Sequence, residues 1–357
     1  MLLDLSLISL TACAEILAHT QRVSRYRKPT FNFWWVFDRI NLMFTAKEYI
    51  EKRLTGIKEE KITQEKELAV FIYDRILSKK FKKYSVTPAG SDKIHRAIEL
   101  NIKNNEPIKF VISAGSYKLW KFEECPEPDW AELFAMIYYA YWLKPITDVY
   151  KPGVWFDFFG DDAILELMNN IPEKDTEKYK AVFKNLIKFI QPYLPNNLKF
   201  TFTPIGERYS SKEKFLDDLN EKIKELKKIE ESTLPEQEIE RMKRNVRPCD
   251  GKEINALENH ILHDAYMNAS EKRPYYKTPD KIMVSARPYG DRTSVPVGTT
   301  KTSVVQYQTG VGVLKREEDS FIEYVYSTTQ LEGAKFVWEE VCIDGLVGKN
   351  FSKIRII

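Results

Sequence analysis

Residues 107–160 read PIKFVISAGSYKLWKFEECPEPDWAELFAMIYYAYWLKPITDVYKPGVWFDFFG. Ile108–Ser113 is a short apolar run that ends in small and polar residues, Ala114-Gly115-Ser116. A Pro- and Glu-containing loop follows, and then apolar residues at helical spacing from Asp129 to Lys144. Tyr150-Lys-Pro-Gly153 is a turn, and Val154–Phe158 is a second strand of the buried type, stopping at Gly160-Asp161-Asp162. A strand, a helix and a strand in that order make a parallel pair, because a parallel return needs a crossover of a dozen or more residues. In open sheets of this kind ligands lie beyond the carboxyl ends of the strands. The loops 113–118 and 159–162 occupy those positions.

The pattern continues outward in both directions. Asp175–Leu194 carries Tyr179, Val182, Phe183, Leu186, Ile187 and Ile190 as a helical stripe, and Leu198–Phe202 is a third strand. Strands alternating with helices give an α/β fold with a largely parallel sheet flanked by helices. Residues 1–104 read as a helical N-terminal region packed on the core, and 105–357 as the α/β core itself. A helical insertion spans 210–250, where Phe215, Leu219, Ile223 and Leu226 recur at spacings of three and four. The C-terminal part is β-rich, with strands expected at 281–286, 303–307, 321–327 and 335–341.

Composition excludes several classes. The chain has 357 residues, with 55 Lys and Arg against 52 Asp and Glu, so the net charge of +3 gives no argument for nucleic acid or a membrane surface. Within 206–247 the basic and acidic residues balance, which excludes a nucleic-acid arm there. Cys13, Cys125, Cys249 and Cys342 are scattered and form no C-x-x-C pair, so a reduced, cytoplasmic setting is expected. Leu10-Thr-Ala-Cys13 has the look of a lipoprotein cleavage box, but Asp4 stands where a signal peptide wants positive charge. No run reaches the ~20 apolar residues of a membrane span.

Cofactor motifs fail on inspection. Gly298-Thr-Thr-Lys301-Thr302 lacks both glycines of a phosphate loop, because Val295 and Thr300 hold those places. Gly348-Lys349-Asn350 fails similarly, with Ile343 for the first glycine. No G-x-G-x-x-G follows a strand, so a nicotinamide cofactor is not supported, and no cofactor is expected. His260 and His263 share a helix face near Glu258 and Asp264, but the H-E-x-x-H spacing is absent and no metal site is expected. His263 remains a candidate proton carrier.

Arg287, Arg292, Thr293, Ser294, Lys301, Thr302 and Ser303 concentrate guanidinium, ammonium and hydroxyl groups in one Gly-containing stretch, the parts of an anion site. The plain alternative is a hydrophilic connection between strands.

The segments PIKFVISAG, PDWAELF, YKPGV with its strand and GDD, and Arg292-Thr-Ser-Val-Pro296 resemble the pyoverdine/dityrosine biosynthesis family, which includes isonitrile synthases. The likeness runs over roughly residues 90–300. It implies a Rossmann-like core. It also implies a biosynthetic enzyme that acts on an amino-acid-like amine and a phosphorylated sugar, both small molecules. By position Ser113, Lys118, Asp161 and Asp162 fall on strand-end loops where such a family would hold substrate; Lys118, Asp161 and Asp162, with His263 from the helix reading above, are the catalytic candidates. Ser113, Ser116, Arg287, Arg292, Lys301 and Thr302 would hold substrate and phosphate. Two other readings stay open: an interaction protein docking through the 212–247 helices, and a nucleotide- or RNA-modifying α/β enzyme.

Overall fold

Five strands run in the same direction in one sheet, in the order β3-β2-β1-β4-β5. They are β1 (Ile108–Ala114), β2 (Val154–Gly160), β3 (Leu198–Thr203), β4 (Lys281–Ser285) and β5 (Ser294–Pro296). The computed structural model describes residues 46–55, 67–82, 84–115, 128–160, 165–167, 171–204, 211–226, 235–237, 261, 265, 278–285, 294–296, 304–317, 320–327, 330, 336–341 and 351–356. All of them belong to one unit, Leu42–Ile357.

Helices connect and cover the sheet. Residues 46–55 form α1; α2 is Leu68–Ile76 and α3 is Pro88–Lys103. α4 (Trp130–Val149) links β1 to β2, and α5 (Glu173–Ile190) links β2 to β3. α6 is Lys212–Leu226 and α7 is Val304–Thr309. Two antiparallel hairpins complete the chain: β6 (Val311–Glu317) with β7 (Ser320–Tyr326), and β8 (Phe336–Val341) with β9 (Phe351–Ile356).

Local chemistry explains the helix starts. Thr87 caps α3 by accepting from the Gly90 N–H at 3.1 Å, and Pro88 fits the first turn because its missing N–H would have no helical partner. Asp129 and Glu132 form a reciprocal capping box on α4.

Strand alternation gives the sheet two unlike faces. Phe110, Phe156 and Phe200 are neighbours in one row, and Ile112, Phe158 and Phe202 share that face. α4 and α5 pack on it, with the Tyr139 ring 4.7 Å from Phe156 and Phe183 5.1 Å from Phe158. The N-terminal helices join the same core: Phe81 lies 6.4 Å from Trp142, which in turn lies 5.2 Å from Phe110. The opposite face carries Lys199, Trp155, Lys109 and Lys281 in one row and Thr201, Asp157, Val111 and Met283 in the next.

α4 does not stop before its proline. The sequence pattern ends at Lys144, yet the helix continues through Pro145 to Val149. Proline has no N–H for the carbonyl four residues back, which is that of Tyr141. The Arg75 guanidinium of α2 supplies the missing donors, giving 3.1 Å to the Tyr141 carbonyl and 2.9 Å to that of Trp142. Arg75 also lies 4.7 Å over the Phe81 ring.

Two strand expectations change. Lys281–Ser285 is not part of a separate β tail; it lies beside β1 and parallel to it, with Lys109 opposite Lys281. The expected strand at 303–307 is helix α7. Val304 and Val305 favour strand locally, but tertiary packing decides such short runs. The helix buries Tyr307 with its ring 6.1 Å from Tyr138, and turns the Gln308 amide onto the Ser113 carbonyl.

At the amino end of the sheet, Lys109 bridges Glu106 at 2.7 Å and Asp280 at 2.8 Å. Burial pushes the Asp280 carboxyl up, but bonds from Lys109 and Thr278 outweigh it and hold the group below the usual range. A depressed carboxyl stabilises the fold above the ordinary aspartate value of about 3.9, and that contribution disappears as pH falls through the lower folded value. Asp280→Asn is therefore expected to lower stability at pH 7 and to flatten the acid limb of a urea-midpoint-versus-pH curve. An acid limb of unchanged steepness would remove Asp280 from the linkage.

Candidate active site

The strand order reverses between β1 and β4: from β1 the chain steps to β2 and β3 on one side, and returns to β4 and β5 on the other. Connections that leave a sheet in opposite directions leave a crevice at the carboxyl ends of the two central strands. Ser113 stands at that end of β1, half-buried and opposite Phe159, and buried Ser285 stands at that end of β4, opposite Pro296. Both serines lie two residues beyond the paired Val111 and Met283, so they share a face. The Gln308 amide donates to the Ser113 carbonyl and ties α7 to the β1 tip.

On this same face, deeper in the sheet, Asp157 is fully buried. Its Oδ1 accepts from the Thr203 hydroxyl at 2.9 Å and from the Thr201 hydroxyl on β3. A buried carboxylate is costly unless hydrogen bonds replace its water, and the two threonines do so. Lys281 of β4 faces the same region. Burial disfavours its ammonium, Asp280 and Asp157 favour it, and Lys109 opposes it, leaving its pKa below the ordinary lysine value. Lys281 is the first residue of β4 and so stands at the amino end; at the carboxyl ends the switch-point region has hydroxyls above a deep carboxylate, equipment for binding a polar ligand and for proton transfer.

The start of α4 is closed to anions. A helix N-terminus after the first strand is where a Rossmann-type pyrophosphate is held. Here buried Asp129 fills the place with its own carboxylate, accepting from the Ala131 N–H at 2.7 Å and the Gly312 N–H at 3.1 Å. Glu132 accepts from the Tyr179 hydroxyl at 3.1 Å and from the Asp129 N–H at 2.8 Å. Gly312 of β6 lies so near that a Cβ there would sit 2.1 Å from the Ala131 nitrogen. Two carboxylates and a strand backbone leave this terminus no room for a phosphate.

Of the residues singled out in the sequence, Ser113 is described and stands on the rim of the crevice. Ser116, Lys118, Asp161, Asp162, His263, Arg287, Arg292, Lys301 and Thr302 lie outside the described residues, as does His260. Among the described residues no group of three His, Cys, Asp or Glu is placed to hold a metal ion. Asp157, Ser285, Lys281 and Gln308 were not singled out. Asp157 had a usable signal, a lone carboxylate in the strand Val-Trp-Phe-Asp-Phe-Phe, where a buried parallel strand is ordinarily apolar throughout. Gln308 had none, because its role depends on a helix that local propensity argues against.

No family model matches the chain, and no curated protein matches it. Among solved structures, the crystal structure of the PvcA protein from Pseudomonas aeruginosa resembles it with a TM-score of 0.55 and 16% identity, covering 82% of this chain and 100% of that one. The likeness at that identity is one of fold, and it agrees with the α/β architecture described above. Among the described residues no helix is long and apolar enough to cross a membrane.

Proposed function

We propose that this chain is a biosynthetic enzyme resembling isonitrile synthases, which joins an amino-acid-like amine to a phosphorylated sugar in the crevice at the carboxyl ends of β1 and β4. The observation that carries the reading is the reversal of strand order between β1 and β4, with Ser113 and Ser285 at its lip. The sequence likeness to the pyoverdine/dityrosine family and the fold shared with PvcA support it.

In this reading the sugar phosphate is held by Arg287, Arg292, Lys301 and Thr302, and Ser113 and Ser116 bind substrate hydroxyls. Asp161 or Asp162 takes and returns protons during condensation of the amine with the carbonyl, Lys118 polarises that carbonyl, and His263 is a further proton carrier. The α4 N-terminus is filled by Asp129, so the phosphate needs side-chain cations of this kind.

A thermal-shift screen with pentose phosphates, aromatic amino acids and nucleotides tests the reading, since a ligand that prefers the folded chain raises the melting temperature. A shift with a pentose phosphate is expected, lost in Arg292→Ala and Lys301→Ala, while Asp161→Ala keeps the shift and loses at least about a hundredfold in turnover. Three folded variants that behave like the parent sink the assignment. Nucleotide shifts with none from sugars favour the nucleotide-modifying alternative. The docking-arm alternative is weakened by α6, whose Phe215 and Leu219 are already buried within this chain.

A further inference from the structure

A cavity of about 440 Å³ lies between α1, α4 and the bend that leads into β3. Glu51 and Leu54 line it from α1, Ala140 and Lys144 from α4, and Tyr193 and Leu194 from the bend. Spacings of three on α1 and four on α4 put each of those pairs on one helix face. Cavities of this size hold small ligands. The bend directly precedes β3, and Lys144 stands near the end of α4, just before β2. The cavity therefore belongs to the amino ends of the strands and not to the crevice at their carboxyl ends.

Its walls carry three kinds of chemistry. Ala140 and Leu194 are buried and Leu54 is partly so, which with the Tyr193 ring makes an apolar and aromatic surface. Glu51 supplies an anion. Its carboxylate is half-exposed, and its ion pair with Lys47 is a loose one at 3.9 Å. The neighbouring Thr55 hydroxyl leaves that carboxylate alone, because it donates to the Glu51 backbone carbonyl at 2.7 Å. Lys144 supplies a cation. Its ammonium donates to the two oxygens of Asp148 at 3.2 and 3.1 Å, and an ammonium carries three donors, so one is left for an incoming anion.

We propose that this cavity is a second ligand site, for a free amino acid with an apolar or aromatic side chain. The ligand ammonium lies against Glu51, its carboxylate against Lys144, and its side chain against Leu54, Leu194 and Tyr193. A simple amine would set a like charge near Lys144, and a simple carboxylate would set one near Glu51, so the walls favour the zwitterion over either. The site does not rest on the crevice reading.

The photoreactive amino acid p-benzoylphenylalanine tests the proposal on the full chain. Irradiation followed by peptide mass spectrometry is expected to mark α1 or the bend before β3, and excess phenylalanine is expected to protect them. Phenethylamine and hydrocinnamate each lack one of the two charges. Each should protect at least about tenfold less well, because a charge-assisted contact is lost. Glu51→Gln should bring hydrocinnamate level with phenylalanine, and Lys144→Met should do the same for phenethylamine. Ala140→Phe fills the cavity and should abolish the labelling. Should that variant not fold, the two charge variants decide. Labelling confined to the peptides of Ser113 or Ser285, or equal protection by all three compounds, overturns the proposal. The readout is the position of the label, so its failure is distinct from a missing melting shift with pentose phosphate.

Discussion

Gly153→Ala is expected to destabilise the protein by about 3 kcal/mol or more. Gly153 has φ +75° in the turn between α4 and β2, a conformation that costs an L-residue about 1–2 kcal/mol. A Cβ there would also fall 1.9 Å from the Asn197 carbonyl oxygen, and overpacking of this kind typically costs a further 1–3 kcal/mol. Neither atom yields easily. The Asn197 carbonyl accepts from the Val154 N–H at 2.8 Å, and the Asn197 amide donates to the Thr147 carbonyl at 2.9 Å and the Tyr150 carbonyl at 3.3 Å. The turn and the start of β3 are one clamp, and it fixes the register of β2 against β3. Urea unfolding of the variant should show a lower midpoint with an unchanged slope. A loss under about 1 kcal/mol would mean that the clamp opens freely, which the bonds to Asn197 argue against.

Arg75→Ala is expected to cost about 3 kcal/mol. Two backbone carbonyls lose charge-assisted donors, and the one on Tyr141 has no helical partner to fall back on because Pro145 lacks an N–H. The stacking of Arg75 on Phe81 goes with it. Pro145→Ala restores a donor to the Tyr141 carbonyl, so the penalty of Arg75→Ala should fall by about 1 kcal/mol or more in that background. Additive costs in the double-mutant cycle would show that Arg75 works through packing and not through the proline.

The parallel sheet was legible because its evidence is local. Ile108–Ser113, Val154–Phe158 and Leu198–Phe202 are apolar runs of strand length, separated by segments at helical spacing. The two faces of that sheet were also present in the alternation of Val-Trp-Phe-Asp-Phe, where Asp157 and Trp155 fall on one side and Phe156 on the other. What the sequence did not disclose is long-range partnership. Nothing near Lys281 says that it lies beside Lys109, because parallel pairing leaves no trace in the intervening chain. Tyr307 and Gln308 became helical for contacts with Tyr138 and Ser113, which local propensity does not register. Helix α4 passed its proline because Arg75, from a different helix, supplies the bonds. The switch point was legible as a place, the strand ends, and not as a set of side chains; of the site candidates named from the sequence, Ser113 alone falls among the described residues, near the carboxyl end of β1.

The middle strand of the sheet acquires its second neighbour late. β1 pairs with β2 soon after both are made, but its other edge waits for β4, and the Lys109–Asp280 bond closes a separation of 171 residues. During synthesis the β1 edge therefore waits for its β4 partner until the 171 positions from Lys109 to Asp280 have been made. An open edge of this kind invites pairing with other nascent chains. The yield of recombinant protein should thus respond to translation speed and to chaperones that shield such edges.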